Sequence, residues 1–363
     1  MKILLIGEYS NVHATLATGL RALGHQVTVI SNGDFWKNYP RDIDVSRQNG
    51  KWGGIKLMVK LWTLLPKMRG YDVVQLINPM FFELKAERLE WFYKYLKRHN
   101  KRIVLGAYGM DYYWVSTCCN EMPLRYSDFN IGHELRTNED ALKEKRDWIG
   151  TTKERLNRLI AENCNGIVTG LYEYYVCYKP KFTDKTCYIP FPIKMPEING
   201  TPTSNQPVRV FIGISKNRSA YKGTDIMLKA AEDVAQQYPD KIVLEKAEGV
   251  PFEQYQSMMD NCDVMLDQLY SYTPSMNSLL AMSKGIVVIG GGEPENYEIL
   301  NETELKPIIN VEPNYESVRR ALEQIITQPQ KLTELKEQSR EYIARHHDYL
   351  KVARRYEEFY KQI

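Results

Sequence analysis

The chain has 363 residues, and its 48 lysines and arginines against 45 aspartates and glutamates give a formal net charge of +3. This near balance and the lack of a basic tail exclude a general nucleic-acid-binding protein. Every run of 18 residues contains polar or charged positions, which excludes a membrane-spanning helix. Hydrophobic residues make up 43% of the chain, enough for a sizeable core, and the length favours two domains.

The start of the chain and its cysteines predict a cytoplasmic protein. The apolar run at residues 3–6 is too short for a signal peptide. The six cysteines form no C-x-x-C pair and have no histidine at the spacing of a zinc site. We therefore expect reduced thiols in the cytoplasm and no bound metal.

Predicted strands and helices alternate over the first half of the chain. An apolar run that ends in Gly7 is followed by a helical pattern of leucines and by a second apolar run over residues 26–31. The alternation continues with strands predicted at 71–77, 102–107 and 166–170 and with helices at 86–98 and 152–163. This order is typical of a parallel sheet covered by helices. It predicts a Rossmann-like domain over residues 1–198.

A break in composition precedes the second half. Six prolines and glycines fall between residues 190 and 207, as in an interdomain linker. Strands are then predicted at 208–213, 242–245, 263–267 and 286–289, and helices at 224–237, 252–261 and 275–284. This second Rossmann-like domain would span 199–347, and the amphipathic helix at 348–363 would return to the first. The predicted fold is α/β, with two Rossmann-like domains facing each other across a cleft.

Cations concentrate in the loop after the first predicted strand of the second half. Segment 213–224 contains Lys216, Arg218 and Lys222, and Gly223 follows the last of them. In an open α/β sheet, ligands bind beyond the carboxyl ends of the strands. Guanidinium and ammonium groups bind phosphate oxygens, so we expect a phosphate site here. A solvated basic loop is the alternative.

Two further segments of the second half fit an anionic or sugar ligand. Ser275, Asn277 and Ser278 lie at the start of a predicted helix, whose free N–H groups can bind an anion. Segment 290–296 has three glycines, which let the backbone approach a ligand closely, and then Glu295, which can accept hydrogen bonds from hydroxyls. An ordinary capped helix and a flexible turn are the alternatives.

Together these segments resemble the donor half of a GT-B glycosyltransferase, in particular of retaining glycosyltransferase family 4. Lys222-Gly223 resembles the phosphate-binding Lys-Gly of that family, and Lys216 or Arg218 would be its companion cation. Segment 281–288 resembles the family's Ala-Met-Ala-x-Gly-x-Pro-Val. Segment 291–295 resembles its Gly-Gly-x-x-Glu, and segment 20–29 its helix-Gly-His-x-Val-strand.

The resemblance implies an enzyme that moves a hexose from a UDP- or GDP-linked sugar to a hydroxyl of a glycan or lipid-linked acceptor. It implies retention, no metal and no cofactor, with the nucleotide sugar as substrate, in surface polysaccharide biosynthesis. Lys222 and Arg218 would stabilise the leaving diphosphate. The places of the family's two glutamates hold Tyr272 and Leu280. A catalytically inactive GT-B-like binding protein and a sugar-nucleotide epimerase of this fold are the alternatives.

The candidate residues for binding or activating the acceptor follow two predicted strands in the first half of the chain. The loop with Gly7, Tyr9 and Asn11 lies where the family often has a glycine-rich loop that contacts diphosphate or acceptor, but it has no glycine after Gly7. His13 is a candidate catalytic residue that would bind substrate, with a structural histidine as the alternative. Asp111 is a candidate for orienting or deprotonating the acceptor hydroxyl, with a turn or a helix cap as the alternative.

Residues 55–68 predict an amphipathic helix that contains Lys56, Lys60 and Lys67 in a polar stripe. Such a helix can lie on an anionic bilayer, which predicts a peripheral contact at the inner face of the membrane. A crossover helix packed on the sheet is the alternative. Pro66 is expected to kink or end the helix.

Overall fold

The structure is a computed structural model that describes residues 1–197, 207–214 and 219–363. Its contacts divide the chain into two compact units. The first comprises Met1–Pro123, Lys143–Pro192 and Tyr349–Ile363, and the second comprises Leu124–Leu142 and Ile193–Asp348. The final segment therefore belongs to the first unit.

Strands and helices alternate along most of the chain. The strands are β1 (Lys2–Ile6), β2 (Gln26–Ser31), β3 (Ile43–Asp44), β4 (Val73–Leu76), β5 (Arg102–Ala107), β6 (Asn130–Ile131), β7 (Glu134–Leu135), β8 (Gly166–Thr169), β9 (Thr186–Tyr188), β10 (Val208–Ile214), β11 (Ile242–Glu248), β12 (Val264–Leu266), β13 (Val287–Gly290) and β14 (Ile309–Asn310). The helices are α1 (Val12–Ala22), α2 (Gly53–Leu64), α3 (Ala86–His99), α4 (Tyr112–Asn120), α5 (Glu139–Trp148), α6 (Thr152–Asn163), α7 (Tyr172–Tyr178), α8 (Ser219–Lys222), α9 (Thr224–Gln237), α10 (Phe252–Asp260), α11 (Met276–Ser283), α12 (Pro294–Glu298), α13 (Tyr315–Thr327), α14 (Pro329–Tyr342) and α15 (Tyr349–Gln362).

The first unit is built on a parallel sheet with the order β3-β2-β1-β4-β5-β8-β9. Residues Ile3–Ile6 of β1 have no exposed surface, as expected for a central strand covered on both faces. Helices α1 and α15 pack against each other in this unit. The order reverses between β1 and β4, and open α/β sheets bind ligands beyond the carboxyl ends of strands at such a reversal.

The second unit has a parallel sheet with the order β11-β10-β12-β13-β14. Its core joins the apolar faces of α9 and α13 to β10, β12 and β13. The reversal of strand order lies between β10 and β12. The loops that follow these two strands carry the predicted phosphate-binding segments.

The observed units differ from the predicted domains in one segment and at one boundary. Residues 124–142, expected in the first domain, pack with the second unit, because the side chains of Arg125, Tyr126 and Arg136 bind there. The boundary predicted after residue 198 lies after residue 192. Among the described residues, no helix combines the length and the hydropathy needed to cross a bilayer.

Candidate functional site

The Lys222-Gly223 turn lies at the reversal of strand order in the second unit. The N–H of Leu269, in the loop after β12, donates a hydrogen bond of 2.9 Å to the carbonyl of Lys222. Gly223 has a φ of +72°, and a Cβ on it would lie 2.6 Å from the Cβ of Leu269. The turn therefore requires glycine, and it brings the end of α8 and the start of α9 against the β12 loop. Lys216 and Arg218 lie outside the described residues.

The predicted helix start at residue 275 is capped as the sequence suggests. Ser275 is the N-cap of α11, and its Oγ accepts a hydrogen bond from the N–H of Ser278 at 3.4 Å. The same hydroxyl donates to Asp267 Oδ1 at 3.0 Å. Asn277 is half-buried in the first turn, and the buried Oγ of Ser278 makes no hydrogen bond to any described group. Ser275 is thus engaged as a cap, while Asn277 and Ser278 stay candidates for ligand contact.

The carboxylate of Glu295 is bound by an arginine that the sequence does not single out. Arg125 Nη1 lies 2.7 Å from Glu295 Oε1, and Arg125 Nη2 lies 2.6 Å from Glu293 Oε2. The hydrogen bond to Glu295 holds the pKa of the Arg125 guanidinium above its usual range. Tyr126 also donates to Glu293. Glu295 therefore belongs to an ion-pair cluster in this structure.

Tyr272, at the place of a family glutamate, is buried in the same cluster. Its hydroxyl accepts a hydrogen bond of 2.7 Å from the N–H of Arg125, and its ring centroid lies 4.9 Å from that of Tyr126. The side chain is 1% exposed. The place that holds a carboxylate in the family is therefore occupied by a packed aromatic ring. Arg125 lies 147 residues from Tyr272 in the chain, so no local sequence pattern could reveal this contact.

In the first unit, the loop after β1 has an unusual backbone. Gly7 has a φ of +86°, and a Cβ on it would lie 2.2 Å from Ile77 Cγ2. Ser10 and Asn11 follow in the left-handed region, with φ of 51° and 72°. Two consecutive non-glycine residues in this region are costly and are more frequent at functional loops. That Gly7, Tyr9 and Asn11 border a ligand stays a prediction.

A second loop of the first unit lies next to this one. The ring of Tyr9 packs against Gly109, where an added Cβ would lie 3.0 Å from Tyr9 Cε2. Asn78, after β4, donates a hydrogen bond of 3.2 Å to the carbonyl of Met110. The structure therefore brings together the loops after β1, β4 and β5 at the carboxyl edge of the sheet.

Glu8 is a buried carboxyl that the sequence did not single out. It accepts hydrogen bonds from the backbone N–H groups of His13 and Ala14 at the start of α1. Burial raises the pKa of Glu8 to about 8, and these two hydrogen bonds oppose that rise only in part. The charge of Asp34, in the loop after β2, raises the pKa further. At neutral pH the protonated form is thus substantially populated.

His13 takes the structural role that was the alternative in the sequence. The ring has no exposed surface, Nδ1 lies 2.8 Å from the carbonyl of Gly7, and Nε2 lies 3.1 Å from Gln75 Nε2. Burial lowers the pKa of His13 to about 3, so the ring is neutral. Nδ1 then donates to Gly7, and Nε2 accepts from Gln75. With both nitrogens engaged and no surface exposed, His13 supports the loop and cannot contact substrate in this conformation.

Asp111 is a helix cap. It has no exposed surface, and its Oδ1 accepts a hydrogen bond of 2.9 Å from the N–H of Trp114 in the first turn of α4. The hydroxyl of Tyr178 donates to its Oδ2 at 2.7 Å. Burial raises the pKa of Asp111 to about 7, against the effect of these hydrogen bonds. The residue positions the loop after β5, which corrects the prediction that it meets the acceptor hydroxyl directly.

A pocket of about 400 Å³ lies beside the loops after β2 and β3. Polar groups dominate its lining, which includes Asn32, Ser46, Arg47, Gln48 and Glu83. Phe35, Asn49 and Gly50 complete the lining. Within the described ranges, no group of three or more histidine, cysteine or acidic side chains could hold a metal ion.

No protein-family model and no curated protein sequence matches the chain. Solved structures are similar over its whole length. Sucrose-phosphate synthase from Thermosynechococcus elongatus has 13% identity and a TM-score of 0.61, over 100% of this chain and 99% of that chain. Anabaena HepE in complex with UDP-glucose has 11% identity and a TM-score of 0.59, over 100% of both chains.

A third similar structure belongs to a different class of enzyme. UDP-GlcNAc 2-epimerase from Neisseria meningitidis, bound to UDP-GlcNAc, has 11% identity and a TM-score of 0.54, over 100% of both chains. At sequence identities this low, the similarity to these structures shows the fold alone. The chain has two Rossmann-like domains, and its fold is the GT-B fold of glycosyltransferases.

Proposed function

We propose that the protein is a metal-independent, retaining hexosyltransferase that uses a UDP- or GDP-linked sugar and a glycan or lipid-linked acceptor. The observation that carries the proposal is the Lys222-Gly223 turn. It places a cation and the N-terminus of α9 at the reversal of strand order, where open α/β sheets bind ligands. The resemblance to family 4 rests on this turn and on segments 281–288 and 291–295.

In this proposal the second unit binds the diphosphate of the nucleotide sugar and stabilises its negative charge. Lys222 supplies a positive charge, and Gly223 leaves the backbone open because it has no side chain. Charge that develops on the leaving diphosphate is stabilised by such fixed cations and by helix N-termini. Metal independence belongs to this proposal, since these groups take the place of a divalent cation.

The first unit would hold the acceptor at the edge formed by the loops after β1, β4 and β5. Tyr9 and Asn78 line this edge, and Glu8, with a pKa of about 8, lies directly behind it. In this proposal His13 and Asp111 are positioning residues, because both are buried and fully hydrogen-bonded. The polar pocket beside Phe35 extends the same edge towards α2.

Binding of nucleotides tests the proposal. Calorimetry with UDP, GDP, UDP-glucose and GDP-mannose should show a dissociation constant that rises about tenfold or more in Lys222→Ala, because one charge-assisted contact is lost. Lys229→Ala is the matched control, since Lys229 lies on the exposed face of α9 and pairs with Asp233. Affinity should be unchanged in EDTA. Equal affinity of Lys222→Ala and wild type would remove the turn from the site.

The epimerase and the inactive binding protein have separate signatures. The similarity to UDP-GlcNAc 2-epimerase supports the first alternative, and the buried Tyr272 supports the second. Proton NMR of UDP-glucose and UDP-GlcNAc incubated with the protein distinguishes them. A transferase slowly releases UDP and free sugar, an epimerase produces the 2-epimer, and a binding protein leaves the nucleotide sugar intact.

A peripheral contact with the membrane also belongs to the proposal. Helix α2 packs into the first unit through Leu57 and Leu61, as a crossover helix would. It also exposes Trp52 (69%), Ile55 (50%), Val59 (59%) and Trp62 (55%), at steps of three, four and three residues along one face. The buried face fits the crossover interpretation, and the exposed face supports the proposed membrane contact.

The surroundings of this exposed stripe suit an anionic bilayer. Trp62 stacks on the half-exposed Trp91 of α3, with ring centroids 5.2 Å apart. The exposed Lys56, Lys60 and Lys67 lie on the same segment. Tryptophan prefers the interface of a bilayer, and lysine is attracted by anionic headgroups. A cytoplasmic protein docked in this way at the inner face could reach a lipid-linked acceptor.

A further inference from the structure

A short segment of the chain lies across the predicted donor site of the second unit. Residues 124–136, called the strap below, contain the β6–β7 hairpin. Leu124, Tyr126, Ser127, Phe129 and Asn130 of the strap are each at most 5% exposed. Asn130 Nδ2 donates to the carbonyls of Leu124 and Gly132, each at 2.9 Å. The strap is thus a folded element with its own internal hydrogen bonds.

One end of the strap binds the segment that carries Lys222. Arg136 donates hydrogen bonds to the carbonyls of Ala220 and Tyr221, at 2.7 and 3.0 Å. Its guanidinium lies 3.6 Å from the ring centroid of Tyr270, in the loop after β12. The hydroxyl of Tyr221 donates to Asp128 of the strap at 2.7 Å. Arg136 therefore ties α8, which ends at Lys222, to the loop after β12.

The other end of the strap binds the segment that carries Glu295. Arg125 bridges Glu293 and Glu295, and its backbone N–H binds the Tyr272 hydroxyl. The cluster has two carboxylates and one guanidinium, with a Tyr126 hydroxyl as a further donor. The ion pairs hold Glu295 in one orientation. More than half of the Arg125 side chain is exposed, so the cluster reaches the surface.

The two arginines lie at different distances from the reversal of strand order. Neighbouring strands are about 4.8 Å apart, so the ends of β10 and β13 are separated by roughly 10 Å. Arg136 lies at the β10 end, where a phosphate would bind, and Arg125 lies at the β13 end.

We propose that the strap is part of the donor site, with Arg136 as the positioning residue for the diphosphate-binding turn and Arg125 as the positioning residue for the sugar end. The inference rests on the proposed use of a nucleotide sugar. Arg136 acts on the diphosphate through the Lys222 turn, and Arg125 acts on the sugar through Glu295. Loss of Arg136 then affects every nucleotide ligand, whereas loss of Arg125 affects only ligands that carry the sugar.

Calorimetry with UDP, UDP-glucose, GDP and GDP-mannose tests this division on the full chain. Arg136→Ala should weaken the free nucleotide and its sugar conjugate alike, by about tenfold, with partial recovery in Arg136→Lys. Arg125→Ala should leave the free nucleotide within about twofold and weaken the sugar conjugate by about tenfold. Glu295→Gln should behave like Arg125→Ala. Arg320→Ala, on the exposed face of α13, is the matched control.

Each outcome decides a separate point. Wild-type protein that binds none of the four probes overturns the proposed function, and the strap assignment falls with it. Wild-type binding with unchanged affinities in the strap variants overturns the strap assignment alone. Equal losses for UDP and UDP-glucose in Arg125→Ala overturn the role at the sugar end. Should an alanine variant melt early, Arg136→Lys, Arg125→Lys and Glu295→Gln replace it, with a smaller expected loss for the two lysine variants, because each keeps a hydrogen-bonding group in place.

Hydrogen exchange gives a readout that is independent of substitution. UDP should slow amide exchange in residues 124–136 and in the loop after β12, because both border the bound diphosphate in this proposal. Protection confined to residues 219–224, with the strap unchanged, would contradict it.

Discussion

Tyr360, in the last helix of the chain, donates a hydrogen bond of 2.7 Å to Gln75 Oε1, 285 residues earlier. Gln75 in turn donates to His13, and His13 donates to the carbonyl of Gly7 at the end of β1. All three side chains are fully buried. The C-terminal helix is therefore joined to the loop that borders the proposed acceptor edge through a chain of buried polar groups.

Removal of the Tyr360 hydroxyl should destabilise the first unit. Tyr360→Phe takes a donor from a buried amide oxygen, and we expect the free energy of unfolding to fall by about 1–3 kcal/mol. Tyr349→Phe, in the same helix and outside this network, is the control and should change it little. Urea unfolding of the three proteins measures the difference. Equal stability of Tyr360→Phe and wild type would show that the hydrogen bond contributes nothing.

The requirement for glycine at position 223 can be separated into two causes. Gly223 and Gly249 both have positive φ, but an added Cβ meets Leu269 at 2.6 Å in the first case and open space in the second. Gly249→Ala should therefore cost only the left-handed conformation, about 1–2 kcal/mol. Gly223→Ala should cost a further 1–3 kcal/mol or so from overpacking and should also weaken UDP binding. Melting curves and calorimetry that show the two variants to be equivalent would contradict the tight turn.

The buried Glu8 should make stability fall as the pH rises. The folded protein keeps the proton up to a pH of about 8, whereas the unfolded chain releases it near the ordinary value of 4.5. Within this window the folded state binds more protons, so the free energy of unfolding falls with pH by up to about 1.4 kcal/mol per unit. Glu8→Gln has no such proton to release. Its free energy of unfolding should therefore increase relative to that of wild type as the pH rises through the same window.

Chemical unfolding at intervals between pH about 4.5 and about 8 measures this gain. The effect of His13 is present in both proteins and cancels in the comparison. Glu134→Gln, on the exposed β7 strand, serves as the control. A constant difference between Glu8→Gln and wild type across the window would mean that Glu8 ionises in the folded protein as it does in the unfolded chain.

The exposed face of α2 should bind anionic vesicles. At low salt we expect co-sedimentation with vesicles of phosphatidylglycerol and phosphatidylcholine, and release at high salt, because each lysine near the surface contributes about 1 kcal/mol. The triple variant Lys56→Gln, Lys60→Gln, Lys67→Gln should lose this binding. So should Trp52→Ser combined with Trp62→Ser, because the tryptophans insert into the interface.

The control for this experiment carries the same change of charge elsewhere on the first unit. Lys101, Lys153 and Lys181 lie outside segment 52–68 of the chain and pair with acidic neighbours, and their replacement by glutamine should leave binding intact. Melting curves should be alike for the two lysine variants, because none of the replaced lysines is buried, whereas Trp62→Ser also removes the stacking on Trp91. Equal loss of vesicle binding in both lysine variants would show that binding depends only on net charge and not on the position of the lysines in α2. Absence of vesicle binding by the wild-type protein at low salt would contradict the proposed membrane contact.

The strands and helices that the sequence predicts mostly lie within one or two residues of their observed bounds, but α5, α7, α13 and α14 were not predicted. Hydrophobic runs and helical periodicity depend on near neighbours, so β2, β5, α6 and α9 have the predicted bounds. Pro66 ends α2 as expected, since a 3-10 turn replaces the α-helix over residues 65–68. Helix α4 was missed because its aromatic residues show no clear polar face, although Asp111 was visible as a possible cap.

The local sequence determined the α/β elements, the order that makes two Rossmann-like domains, and the glycine and cation of the Lys222 turn. These features depend on residues that are close together in the chain. Only the tertiary structure decided that His13 and Asp111 are buried and that Arg125 binds Glu295, 170 residues away. Burial and charge pairing between distant segments depend on packing, which leaves no periodic pattern in the sequence. For that reason the strap could be recognised as part of the second unit only once the chain was folded.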